Sequence, residues 1–274
     1  KLLGGKVREK VRTYARLCDD PAVIKQAAHN ALDCGFDAIK SGRETICEPY
    51  SDQRQVELEV ELFHELREVV GPNVDLMIDA GSMFSPPVAH HLIEGLLPFK
   101  LLFIEEPTNQ DTIEPTLRLK QNFPTQRIAL GERWMTRWDF RLWFEKQAID
   151  VCQADICHTG GISELMKIAH YAEVYGIMMA PHNPYGPVAM AAAAHASAAM
   201  QNFLILEYCR LQPWFDQIQK VRLPIDRGAI DINELGKHPG LGGELDLERI
   251  AALAGHTPIS PRRYLQVDGS TPLL

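Results

Sequence analysis

The feature that most constrains this chain is a beat that runs from its first residues to Tyr208. Short apolar runs rich in β-branched residues alternate with longer amphipathic stretches. "VRTYARL" is followed by residues 20–35, "FDAIK" by 53–70, "VDLMID" by 86–97 and "LLFIEE" by 111–122. "RIALGE" then precedes 136–147, "DVCQAD" 161–175 and "GIMMAPH" 187–201, and "FLILEY" closes the series. Strands separated by helices pair in parallel. Eight of them in about 200 residues predict a closed β/α barrel of the TIM type rather than an open sheet. Seven helices between eight strands give an α/β fold of the modified (β/α)7β kind over residues 1–208. No dinucleotide fingerprint follows the first run, which lowers the doubly wound alternative. Residues 209–274 read as loops and short elements that cover one end and dock on another surface.

The strand ends carry the chemistry. From the third run onward each closes on an ionisable residue: Asp79, Glu105, Glu132, Asp155, His182 and Glu207, at separations of 26, 27, 23, 27 and 25 residues. A lone aspartate at the end of "LMID" would ordinarily cap the turn that follows. Six ionisable groups in phase instead meet at the C-terminal mouth of a barrel, where such folds place their active sites. Three carboxylates on three successive strands repel one another unless a cation joins them. Three oxygen donors, with the rest of the shell left to water and substrate, suit Mg2+. Asp79, Glu105 and Glu132 are therefore expected to hold one Mg2+ per site. Glu106 falls on the other side of the strand or in the loop, where a supporting role is expected.

Asp155 and His182 end adjacent strands. A carboxylate there can fix one imidazole tautomer and raise its basicity, which makes His182 the expected general base. His158, in the loop after Asp155, is the other histidine expected to reach the mouth. Lys40 ends "FDAIK" and is expected to face the same mouth, neutralising a substrate carboxylate or oxyanion, or acting as a base if its pKa were depressed. The loop behind it, "SGRETICEPYSDQ", is a candidate specificity loop. "TGGI" at 159–162 opens a helix; it could cradle an anion, and close packing is the simpler reading.

A net charge of -8 and the lack of a Lys/Arg-rich block argue against nucleic-acid or membrane-surface partners. An anionic substrate would need a local cation. Six cysteines without a C-x-x-C pair read as reduced thiols of a cytoplasmic protein. No run approaches the roughly 18 apolar residues of a membrane span. "VAMAAAAHASAAM" reads as a helix packed closely through small residues. The start at Lys1, without an initiator Met, suggests a fragment.

Taken together, "LLGGKVR", "FIEEP", "ALGERWMTRWDF", "DICHTGGISELMKIAHYAEVYGI", "APHNPYGPVAMAAA" and "PGLGGELD" resemble the enolase superfamily in its mandelate racemase branch, within it the galactonate and mannonate dehydratases. The resemblance covers nearly the whole chain. It implies the metal at Asp79, Glu105 and Glu132, the dyad of His182 and Asp155, and an intermediate-stabilising role for Glu207. Lys40, His158 and Tyr185 are then candidate substrate-binding residues. It also implies a small sugar-acid partner and a homo-oligomer in the full-length form.

Three departures bear on the activity. "LLGG" follows an N-terminal α+β capping domain in the family, and here none precedes it. Residues 209–274 would complete the barrel and its interface with such a cap. The family's racemases end the second strand in Lys-x-Lys, whereas Lys40 is followed by Ser41 and Gly42. The galactonate and mannonate enzymes place a His two residues after the third-strand Asp, where this chain has Gly81.

The expected activity is Mg2+-dependent dehydration of an aldonate or aldarate to a 2-keto-3-deoxy acid. His182 takes the α-proton, Lys40 and Glu207 help hold the enediolate, and the protonated His182 or a metal-bound water protonates the leaving hydroxyl. In the superfamily this chain resembles, a Lys or His base works beside Mg2+. The alternatives are a racemase or epimerase of a 2-hydroxy acid, and a capless barrel that binds metal without turnover. Without a cap, the chain alone is expected to be nearly inactive, to leave Trp134, Tyr185, Trp214 and Phe215 exposed as an apolar patch, and to have a mobile loop at 41–52.

Overall fold

The computed structural model describes residues 2–17, 23–42, 53–208 and 214–254. Eight strands alternate with seven helices: β1 (Lys10–Arg16), α1 (Ile24–Asp33), β2 (Ala38–Ser41), α2 (Gln53–Val70), β3 (Asp75–Asp79), α3 (Pro86–Leu96), β4 (Ile104–Glu105) and α4 (Glu114–Asn122). They continue with β5 (Ile128–Leu130), α5 (Arg137–Glu145), β6 (Val151–Cys152), α6 (Ile162–Val174), β7 (Met178–Met179), α7 (Pro187–Ala199) and β8 (Leu206–Tyr208). Local chemistry explains several of the boundaries. Pro86 and Pro187 occupy the first turns of α3 and α7, where a missing N–H costs nothing. Thr136 and Asp139 exchange side-chain and backbone bonds in a capping box that starts α5. The alanine-rich α7 buries Ala191, Ala193, Ala194 and Ala196, so its small side chains serve close approach to the barrel.

All neighbours from β1 to β7 pair in parallel, and β8 pairs with β1 through Thr13↔Leu206, Tyr14↔Glu207 and Ala15↔Tyr208. A parallel bridge between Met179 and Phe203 joins the last gap, so the barrel closes. Its interior is filled by one residue per strand or strand margin: Tyr14, Ala38, Met77, Phe103, Ala129, Val151, Ala180 and Ile205. Large and small residues mix in this layer, as a packed tapering core requires. Side chains on the other parity, such as Leu76, Ile78, Ile104, Ile128 and Leu206, pack outward under the helices.

The tail adds β9 (Gln219–Val221), β10 (Ile225–Asp226), β11 (Ala229–Asp231), α8 (Ile232–Leu235), β12 (Glu244–Leu245) and α9 (Leu247–Leu253). Within this tail β11 runs antiparallel to β1, with Lys10 opposite Asp231, and so extends the chain's own sheet. The expected apolar patch is corrected. Trp134 is buried against Phe140 and Trp143, and Phe215 packs edge-on to Tyr208. Aromatic pairing within the chain covers both. Tyr185 and Trp214 are half-buried. The exposed large apolar residues near α5 are Met135, Trp138 and Leu142. Most of the predicted mobile loop, residues 43–52, lies outside the described residues. No helix among the described residues is long and apolar enough to cross a membrane.

Candidate active site

Strand parity builds the site. Two residues beyond each interior core side chain, the next inward position meets the C-terminal mouth. Tyr14 is followed by Arg16, Ala38 by Lys40, Met77 by Asp79, Phe103 by Glu105, Val151 by Gln153, Ala180 by His182 and Ile205 by Glu207. The fifth strand breaks the rule. Ala129 is followed by Gly131 at φ 133°, where a Cβ would stand 2.9 Å from the Phe140 ring. That glycine turn brings Glu132, one residue later, to the mouth.

Asp79 and Glu105 are register partners across β3 and β4. Asp79 makes the turn contact expected of a strand-end aspartate and also meets a cation. Its Oδ1 accepts the Gly81 N–H at 3.0 Å, and its Oδ2 lies 3.8 Å from the Arg16 guanidinium. Glu105 is fully buried, with both oxygens on the Lys40 ammonium at 2.9 and 2.7 Å. Burial, with Asp79, Glu132 and Glu207 nearby, pushes the Glu105 carboxyl well above its ordinary range against the pull of Lys40. A carboxylate so placed calls for positive charge. Glu132 Oε2 faces His182 Nε2 at 3.4 Å. Each of the three thus answers to a cation of this chain, and among the described residues no three such side chains converge as a ready-made ion site.

The dyad is assembled. His182 Nδ1 lies 2.7 Å from Asp155 Oδ2, while Asp155 Oδ1 accepts the N–H groups of Cys157 and His158 at 2.6 and 3.2 Å. Burial works against the Asp155 charge, yet the bond from His182 and these N–H groups hold its pKa below the usual value. His182 Nε2, the nitrogen turned away from Asp155, lies 3.4 Å from Glu132 and 3.7 Å from Glu207. Burial opposes the imidazolium, but Glu207, Asp155 and Glu132 outweigh it and raise the pKa of His182 to about 9. Glu207 Oε2 accepts the Asn183 N–H at 2.9 Å, and despite burial Lys40, His182 and that N–H draw its pKa down to about 2.

These shifts predict a pH dependence. The folded chain keeps a proton on His182 that an unfolded imidazole releases near pH 6.5. The resulting stability is full below about pH 6.5 and is lost as pH rises through about 9. In EDTA, the melting temperature should fall across that window, and His182→Asn should flatten the fall. A wild-type melting temperature that holds or rises over this range contradicts the assignment.

Lys40 is corrected. It is 1% exposed and lies beneath the mouth without opening to it, because Glu105 and Glu207, at 2.7 and 3.1 Å, enclose its ammonium over the Tyr14 ring. Burial alone would favour the neutral amine, but the two carboxylates raise its pKa well above that of an ordinary lysine. The condition for Lys40 as a base, a depressed pKa, is not met. Nor is there room for a second lysine two residues on, since a Cβ at Gly42 would overlap the Asp79 carbonyl oxygen.

His158 bonds the Glu132 carbonyl through Nδ1 at 2.8 Å, and its Nε2 stands 2.9 Å from the Tyr185 hydroxyl. A carbonyl only accepts, so Nδ1 carries the proton and Nε2 accepts from Tyr185. The Tyr185 ring stands edge-on to His182 with centroids 6.3 Å apart. Three residues of the mouth were missed in the sequence. Arg16 and Gln153 were legible from the two-residue step alone. Arg133 directly follows a proposed ligand, and its Nη2 reaches the Gly81 carbonyl at 3.4 Å.

Comparison with known proteins follows the same outline. The family described as enolase C-terminal domain-like matches residues 22–250. D-galactonate dehydratase of Cronobacter sakazakii is 32% identical over 261 residues, spanning 92% of this chain and 67% of that protein. An enolase from Agrobacterium radiobacter, named as a candidate galactarate dehydratase and solved with Na and L-malate and an ordered active site, superposes with TM-score 0.86 at 30% identity. The match covers 98% of this chain and 72% of that one. A mandelate racemase/muconate lactonizing enzyme-like protein from Rubrobacter xylanophilus gives TM-score 0.81 at 33% identity, over 92% of this chain and 70% of its own.

Proposed function

The chain belongs to the enolase C-terminal domain-like family of the enolase superfamily, and on that premise we propose that it is a hydro-lyase converting an aldonate or aldarate to a 2-keto-3-deoxy acid. The observation that carries this reading is a single candidate base, His182, oriented by Asp155 at 2.7 Å and able to act in its neutral form, beside a lysine held as its ammonium by Glu105 and Glu207. Racemisation asks for a base on each face of the α-carbon. Elimination asks for one. The relatives named for galactonate and galactarate dehydration support the same substrate class, and the L-malate held by one of them is, like a sugar acid, a 2-hydroxy carboxylate.

Asp79, Glu105 and Glu132 offer the hard oxygen donors that Mg2+ prefers. Arg16, Lys40 and His182 now supply the positive charge near them that the ion would add to. Bound there, Mg2+ would stabilise the negative charge that gathers on the substrate carboxylate. His182 Nε2 takes the proton from the carbon bearing the 2-hydroxyl, and the C–H electrons pass toward the carboxylate as an enediolate. Those electrons then form the bond between carbons 2 and 3 as the 3-hydroxyl departs. With Gly81 lacking an acid, the imidazolium of His182 returns its proton to that hydroxyl, releasing water. The enol left behind becomes the 2-ketone as carbon 3 gains a proton and the 2-hydroxyl loses one. Glu207 and Lys40 act from beneath, their charges setting the field around His182. His158 and Tyr185 would flank the sugar hydroxyls. Free thiols at Cys34, Cys152 and Cys157 suit a cytoplasmic enzyme, and a homo-oligomeric full-length form completes the proposal.

A library of aldonates and aldarates, incubated with the chain and Mg2+ in D2O, tests this reading. Release of a 2-keto acid, however slow, is expected for at least one stereochemistry. Deuterium at carbon 2 without keto acid would favour a racemase. A rise in melting temperature with Mg2+ and no exchange from any sugar would favour a metal-binding barrel without turnover.

A further inference from the structure

Ser82 and Arg133, which closely follow Asp79 and Glu132 in sequence, both reach one buried carboxylate, that of Glu106, which itself directly follows Glu105. We propose that Glu106 is a positioning residue that braces the third, fourth and fifth strand ends and so sets the spacing of Asp79, Glu105 and Glu132. The proposal rests on the reading of those three as the cation's ligands.

Glu106 directly follows Glu105 and is 1% exposed. From the β3 end, the Ser82 hydroxyl donates to its Oε2 at 2.9 Å, and the Ser82 N–H donates to its carbonyl at 2.8 Å. From the β5 end, Arg133 Nε donates to the same Oε2 at 3.2 Å, while the Glu106 N–H binds the Ala129 carbonyl at 3.0 Å. Gln110, in the loop after β4, donates to Oε1. One side chain therefore adds side-chain ties among three loops whose backbones also meet at Glu106. The backbone bends to allow it. Glu106 and Ser82 sit at φ 43° and 62°, left-handed conformations that side chains other than glycine's rarely adopt. Residues held in such wells cluster at functional sites, where their surroundings fix them. Glu106 touches no reacting atom in this scheme, so its effect reaches the chemistry only through its neighbours.

A brace and a mere charge make opposite predictions. If charge alone mattered, removing Arg133 would strengthen cation binding, because a positive group beside the carboxylates disappears. If bracing matters, removing either end weakens it. Calorimetric titration of MgCl2 into the full chain separates the two, with melting temperatures in EDTA recorded alongside. Glu106→Gln should weaken Mg2+ binding by about 10- to 100-fold, the range typical when partners that orient ligands are lost. Arg133→Met should weaken it in the same direction. Its melting temperature in EDTA should stay close to wild type, since Arg133 is 44% exposed. Asp79→Asn serves as the reference and should lose binding outright. If Asp79→Asn loses Mg2+ while Glu106→Gln and Arg133→Met bind within threefold of wild type, the brace is wrong and the ligands stand. If Asp79→Asn binds as wild type does, or wild type binds none, the ligand reading fails and the brace with it. Should Glu106→Gln not fold, Arg133→Met decides: tighter or unchanged binding overturns the proposal.

Discussion

His182→Asn should slow exchange of the α-proton of a turned-over sugar acid by about 10²- to 10⁴-fold, the contribution of a well-placed general base. The substitution is chosen for its geometry. An asparagine amide can stand near the place of Nδ1 and keep a donor toward Asp155, whose Oδ2 now lies 2.7 Å from that nitrogen. The loop carrying Asn183 and Tyr185 then has no reason to move, and only Nε2 is lost. Mg2+ affinity should not fall, because His182 is not among the proposed ligands and its loss removes a positive group 3.4 Å from Glu132. NMR in D2O reads the exchange and calorimetry the affinity. Exchange within tenfold of wild type would remove His182 from the role of base. It would also reopen the question of Lys40, despite its enclosure by Glu105 and Glu207.

Lys40→Met should be the most destabilising single change in the site. The ammonium is buried between two carboxylates that are themselves buried, so its loss leaves Glu105 and Glu207 facing each other without a counter-charge. Breaking such a group by removing one partner costs about 3–5 kcal/mol. At roughly 2–4 °C per kcal/mol for a chain of this size, that is a fall on the order of 10 °C in melting temperature. The loss should ease at low pH, where the two carboxyls can protonate, and saturating Mg2+ should restore part of it. A Lys40→Met melting temperature within about 2 °C of wild type at neutral pH would mean that the cluster is already relieved by solvent or by proton uptake.

The order of elements was legible because two periods coincide. A two-residue step marks each strand and a unit of about 25 residues marks each strand-helix repeat, so Asp79, Glu105, Asp155, His182 and Glu207 announce themselves at strand ends. Glu132 obeys the longer period and breaks the shorter one, and only Gly131 at φ 133° reconciles them. Lys40 was placed on the correct strand but given the wrong surroundings, since sequence shows a strand-end lysine without showing that two acids from other strands close over it. The aromatic residues failed for the same reason. Trp134 and Phe215 look like surface in a chain read one loop at a time, and are covered by Phe140, Trp143 and Tyr208 once the loops meet. The tail reads in sequence as covering one end and docking on another surface, and its pairing with β1 escapes that reading because it joins residues more than two hundred positions apart. Local pattern carries no trace of such a contact.

A crystal structure of the chain with Mg2+ and a turned-over aldonate or aldarate tests the central claim most directly. One oxygen each from Asp79, Glu105 and Glu132 should lie about 2.0–2.1 Å from a single ion. His182 Nε2 should face the carbon that bears the 2-hydroxyl, with Asp155 still on Nδ1. An ion bound elsewhere, with Glu105 still paired to Lys40 and His182 turned from the substrate, would contradict the account.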